Sequence, residues 1–206
     1  MKTEAEFWNW FVQHEAELFD FRVEHEVERE RLFNELAKEL QKVHRELSFE
    51  FGPNDTPREF VITACGIKEA FPSAKSLVNS APNLERWQIT ALRPRRSLTN
   101  VVEFRGKRVD PKEVQFTLLS DGKVAGVRLF IPGYQETDSA LKQIAYLLLD
   151  EALGEYDVES HLGPIKMFAT ENDIEGERYP FIELPKQFDR LLESFSTASD
   201  NSLNSR

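Results

Sequence analysis

Apolar residues recur at three- and four-residue steps through the first part of the chain. Phe7, Phe11, Leu18 and Phe21 make one series, with His14 and His25 in phase; Leu36, Leu40, Val43 and Leu47 make another. At ~100° per residue each series falls on one helical face. Residues 4–46 hold no Gly or Pro and are rich in Glu, Leu and Arg, so the whole stretch is predicted helical. One unbroken helix would be about 60 Å long. A compact chain of this size has a radius of gyration near ~17 Å. The polar middle, RVEHEVERER, offers a place to break, and we set the break near residues 21–26. The alternative is a projecting helix that needs a partner.

Beyond residue 46 the pattern changes. Strands are predicted at 47–51 and 59–65, with Gly52, Pro53, Asn54, Asp55 and Pro57 between them. FPSAKSLVNSAP (71–82) reads as a short helix with Pro72 in its first turn. WQITAL (87–92) reads as a strand, and VVEF (101–104) as a short strand inside a basic loop. The order then repeats. VQFTLLS (114–120), the Asp121-Gly122 turn and VAGVRLFI (124–131) make a hairpin. A helix follows at 137–153, with Thr137 or Asp138 as its cap and Gly154 at its end. IKMFA (165–169) is a further strand, and YPFIEL then PKQFDRLLESF a final strand and helix within 180–195. Phe49 and Gly66 find counterparts in Phe116 and Gly133.

The expected fold is therefore α+β. A mixed, mostly antiparallel sheet from two ββαβ-like units (47–96 and 114–170) is packed by helices, including the N-terminal helical region 4–46. We expect one domain over 1–195 with the strands in one shared sheet. STASDNSLNSR (196–206) reads as a disordered polar tail.

Composition narrows the function classes. The chain has 206 residues and a formal net charge of −10, which disfavours nucleic acid and anionic membrane as partners. No apolar run approaches the ~18–20 residues of a membrane span, and MKTEAEFWNWF lacks the apolar core of a signal peptide. Cys65 is the single cysteine, so no disulfide forms within the chain. A cytoplasmic location follows as the simplest expectation. Cys65 itself reads as a buried structural residue.

Candidate chemistry is sparse. HExxH, GxSxG, Walker A and GxGxxG patterns are absent. His14 and His25 would lie ~16 Å apart on one helix, too far to share a metal, and read as half-buried face residues. No metal and no cofactor are expected. The acidic stretch LLLDEALGEYD (147–157) reads as a solvated helix end, with its charge opposing the helix dipole. The basic segment is the strongest candidate surface: Arg93, Arg95, Arg96, Arg105, Lys107 and Arg108, with Trp87 just upstream. Guanidinium forks suit carboxylate or phosphate. The bland reading is that they pair with the protein's own acidic helices. A second candidate surface is Phe7, Trp8, Trp10 and Phe11, because Trp8 and Trp10 are ~200° apart on a helix and cannot both face one core.

Trp8, Trp10 and Phe11, the segments Leu47, Phe49, Glu50 and Glu59, Phe60, Ala64, Gly66, and the run Phe71, Leu77, Ala81, Pro82, Leu84, Trp87 together resemble a family of bacterial proteins of unassigned activity. The resemblance spans most of residues 7–160 and implies a bacterial cytoplasmic protein, with no catalytic residue to carry over. The leading functional expectation is a non-enzymatic protein-binding or regulatory module, with a protein partner or self-association as a homodimer. The alternative is a hydrolase-like enzyme that binds an anionic small molecule at Arg93–Arg96, with His161 or a carboxylate as general base.

Overall fold

A computed structural model describes residues 3–121 and 124–203, the stretch 196–203 as backbone only. Two compact units divide the chain, Met1–Pro94 and Arg95–Arg206.

The first unit opens with three helices: α1 (Glu4–Gln13), α2 (Glu15–Asp20) and α3 (Glu26–Val43). A capping box starts α1: Glu6 N–H donates to the Thr3 hydroxyl and Thr3 N–H to the Glu6 carboxylate. The predicted break is present, since Phe21 turns extended and α3 begins only at Glu26. A second interruption at His14 was not expected. There the imidazole stacks on Trp10 at 4.3 Å and its Nδ1 lies 2.8 Å from the Trp10 carbonyl. His25, by contrast, is exposed rather than half-buried.

Strands β1 (Ser48–Phe51), β2 (Arg58–Thr63) and β3 (Trp87–Ala91) form a sheet in the order β1-β2-β3. β1 and β2 are an antiparallel hairpin, and β3 joins β2 in parallel after the crossover helix α4 (Phe71–Asn79). The core of this unit is built on rings. Phe7, Trp8, Phe11, Phe19, Phe60, Phe71 and Trp87 are all buried in it. Edge-to-face and stacked contacts link them, Phe11 to Phe60 at 5.0 Å and Phe19 to Trp87 at 5.4 Å.

The second unit repeats the plan. After the small hairpin β4 (Val102–Phe104) and β5 (Lys107–Val109), strands β6 (Gln115–Ser120) and β7 (Ala125–Ile131) pair antiparallel. Helix α5 (Ser139–His161) then crosses to β8 (Leu162–Ala169), which runs parallel to β7. The two hairpins share one register. Phe49 faces Ile62 and Phe116 faces Leu129, a displacement of 67 positions in both strands. The turn that ends the second strand matches too: Ile67 N–H bonds the Ala64 carbonyl, and Tyr134 N–H the Ile131 carbonyl, with Gly66 and Gly133 at positive φ.

Other expectations are corrected. The units do not share one sheet; the strands form sheets of three, two and four strands, the last in the order β8-β7-β6-β9. The predicted YPFIEL strand is only the two-residue β9 (Tyr179–Pro180), after which a 3₁₀ turn leads into α6 (Leu184–Leu203). That helix runs past residue 195 into the stretch read as tail. The Asp121-Gly122 turn falls partly outside the described residues, although Asp121 accepts from Val124 N–H. Cys65 is exposed, because Cys65 and Gly66 both take positive φ and swing the chain outward at the end of β2. The expected end at Gly154 is present as an interruption, and a second helical stretch of α5 follows it. The helix breaks there at φ 76°, ψ 157° and resumes to His161.

Aliphatic side chains of β6, β7 and α5 fill the core of the second unit, with Phe116, Phe181 and Phe188 among them. Val127, Leu129 and Ile131 point to the helices, while Phe130 lies on the far face, stacked on Phe168 at 5.8 Å and under the Arg178 guanidinium at 3.8 Å.

Candidate functional site

The basic segment is divided between the two units, and its side chains take separate partners within each. Arg93 closes the first unit, its Nε 3.9 Å from the Glu50 carboxylate. Arg95 belongs to the second unit and is committed there. Its fork grips Asp189 of α6 at 2.9 and 2.7 Å and Asp157 of α5 at 2.7 Å. Its Nε donates to the Leu153 carbonyl at 3.1 Å, and Arg96 N–H to the Glu151 carbonyl at 2.7 Å. These last two bonds have a single cause. The break at Gly154 strips the preceding turn of its i+4 donors, and residues 95 and 96 supply replacements. The hydrogen bonds to Asp189 lead in raising the Arg95 pKa; burial opposes them, and Asp157 adds to the rise. Arg95 is thus a fixed cation with its fork already occupied.

The other basic residues go separate ways. Lys107 lies 3.1 Å from Asp138, the residue that caps α5 through Ala140 and Leu141 N–H. Arg108 sits opposite Glu103 on the small hairpin, and Arg105 in its turn at φ 48°, 5.3 Å from the Phe104 ring. At the acidic helix end Asp157, besides holding Arg95, lies 3.0 Å from His161 Nδ1. Trp87 is buried and its indole N–H donates to Glu15 at 2.7 Å, so no ring face is offered to a base.

The aromatic cluster of α1 is likewise internal. Phe7 and Phe11 are fully buried, and Trp8 is buried with its indole N–H on the Leu77 carbonyl at 2.8 Å. Trp10 alone is half-buried, against Lys38, Glu39 and Lys42 of α3. A binding surface at this end of the chain rests on Trp10, not on all four rings.

A different place is shaped for a ligand. A cavity of about 480 Å³ lies beside β8. Ile165, Lys166, Met167, Phe168 and Ala169 line it in unbroken succession, with Tyr134 and Glu136 from the β7–α5 loop, Lys142 and Tyr146 from the first turns of α5, and Asn172 beyond β8. Side chains alternate faces along a strand. Ile165 and Met167 pack toward the helices, whereas Phe168 lies against Phe130 on the far face. A cavity that meets both sets follows the strand's free edge, and β8 is an edge strand. It also lies by the carboxyl ends of the parallel pair β7 and β8, where open α/β sheets bind ligands. Asn172 closes one end: its side chain accepts from Ala169 N–H at 2.8 Å and its N–H donates to the Ala169 carbonyl at 3.0 Å. At the other end the β7–β8 register slips between Leu162 and Ile165, a bulge that holds Pro164. Burial, then Glu136, Tyr146 and Asp138, push the Tyr134 phenol above its usual range, so it stays a hydrogen-bond donor across neutral pH.

None of these lining residues stood out in sequence. Their signal was the crossover β7–α5–β8, which becomes a site only once β8 is known to be an edge. Among the described residues no cluster of three His, Cys, Asp or Glu is placed to hold a metal ion, and no helix is long and apolar enough to cross a membrane. No family model, curated protein or solved structure matches the chain.

Proposed function

We propose that this protein is a binding module of the bacterial cytoplasm that takes an extended protein segment as an added strand along β8. One observation carries the reading: a single cavity follows five consecutive residues of an edge strand and is walled by the two tyrosines Tyr134 and Tyr146. An edge strand presents unused N–H and C=O groups on its outer side, and strand addition uses them for affinity. Pockets for alternate side chains then supply selectivity, and aromatic walls are favoured at such contacts.

The enzyme reading ranks second. His161 is oriented by Asp157 as a general base would be, but the Arg95 fork that was to hold the anion is engaged by two carboxylates.

The test is selection of binders from a displayed library of random ten-residue peptides, followed by amide chemical-shift mapping on the whole chain. We expect shifts at Ile165–Ala169 and loss of binding in Met167→Pro, with the fold intact by circular dichroism. Selected peptides that map elsewhere, or a library that yields none, would overturn the proposal.

A further inference from the structure

The lining of the β8 cavity also carries a charge signature. Lys142 and Lys166 are both exposed and line it, and neither has an ion-pair partner among the described residues. Elsewhere Arg31 pairs with Glu17 and Glu35, Arg86 with Glu15, Arg95 with Asp157 and Asp189, and Lys107 with Asp138. Lys38, Lys68, Lys112 and Lys186 also have no ion pair among the described residues, so it is the convergence of Lys142 and Lys166 on one cavity that sets them apart. In a chain of net charge −10, two unpaired ammonium groups at one cavity run against the overall charge. Their placement follows from the fold. Lys166 alternates with Ile165 and Met167, so it lies on the far face of the sheet with its neighbour Arg128. Lys142 comes from α5, which covers the other face. The edge is thus flanked by positive charge on both sides, against one lining carboxylate, Glu136.

Resting on the strand-addition reading, we infer that the occupant is an acidic extended segment of a partner protein. Successive residues of an added strand point to opposite faces. Neighbouring Asp or Glu residues would therefore reach Lys166 on one side and Lys142 on the other, and an adjacent apolar side chain would lie against Tyr134 and Tyr146. A second copy of β8 is a poorer occupant, because it brings Lys166 and Pro164 to an edge that already carries them, and lysine on an edge strand opposes edge-to-edge pairing. Edge protection alone accounts for Lys166. It does not account for Lys142, which comes from the helix.

The experiment uses the full chain and three fluorescent ten-residue peptides with the same Val, Thr and Tyr positions: one with Glu at the remaining positions, one with Lys, one with Ser. Anisotropy is read at about 50 and 200 mM salt, with amide shift mapping and light scattering alongside. The Glu peptide is expected to bind at least tenfold more tightly than the Ser peptide, to weaken with salt, and to shift Ile165–Ala169. Lys142→Glu with Lys166→Glu should reverse the preference toward the Lys peptide. If the Lys or Ser peptide binds β8 as well as the Glu peptide, the acidic class is wrong and strand addition stands. If none of the three shifts β8, strand addition itself fails. A dimer that dissociates on Met167→Pro would make a second copy the occupant and overturn the inference.

Discussion

The two units follow one plan and fill it differently. Each has a hairpin in the same register, a left-handed glycine after its second strand, and a crossover helix to a third, parallel strand. The first is packed with rings, the second mostly with aliphatic side chains. Their helices differ more: α4 has nine residues, α5 twenty-three with a break. The longer crossover and its loop bring Tyr134, Lys142 and Tyr146 alongside β8. Register and turn therefore define the module, and the crossover decides whether its third strand gains a walled cavity.

The largest expected effect tests the ring core. Phe11→Ala should destabilise the first unit by about 3–5 kcal/mol, as removal of a buried phenyl does, measured by urea unfolding with hydrogen exchange of β2 amides. The mass in solution should not change; a dimer lost at unchanged stability would return Phe11 to an interface. Next comes the break in α5. Gly154 holds φ 76°, ψ 157°, a region open essentially to glycine alone. Gly154→Ala should cost about 2–3 kcal/mol, read from the same unfolding curves in the second unit.

Two carboxylates separate the units by pH. Burial works against ionisation of Glu15, but the hydrogen bonds from Arg86 and Trp87 outweigh it and lower its pKa below the usual 4.5. Its folded pKa is below the unfolded one, so its stabilisation is present above pH 4.5 and is lost as pH falls through the folded value. Glu15→Gln should cost about 1–2 kcal/mol at pH 7 and flatten the acid limb of the melting profile. Glu151 behaves oppositely. Burial raises its pKa, Arg96 only partly offsets this, and its Oε2 is buried without a hydrogen bond. Its ionisation costs stability as pH rises from 4.5 through the folded value. Glu151→Gln should raise the melting temperature at pH 7, a gain below about 1 kcal/mol. A loss there would mean that the carboxylate has a partner worth more than its burial.

Local signals were readable in the chain. The in-phase apolar series, the polar interruption before α3, the Asp138 cap and the glycines after β2 and β7 all announce themselves by spacing or residue type. Long-range choices were not. Nothing in VVEFRGKRV says that Arg105 and Gly106 turn a hairpin whose second strand is β5, because three-residue strands carry too little periodicity. Gly154 read as a helix end because glycine favours that position; that the turn before it is held by tertiary bonds from residues 95 and 96 could not be read. The arginines read as a surface because charge is visible in sequence and pairing is not: Asp189 lies ninety-four positions from Arg95. The cavity was hidden for the same reason, since an edge is a property of strand order.

Asn172 gives the β8 edge a measured length. By consuming both polar groups of Ala169 it stops the ladder there, as Pro164 and the bulge stop it at the opposite end. Between these stops run Ile165 to Phe168, about 13 Å of strand at ~3.3 Å per residue. On the strand-addition proposal a guest would dock only along this short stretch. On that proposal the edge is a ruler, sized for a brief linear motif and closed to the open-ended stacking by which unguarded strands grow into fibrils.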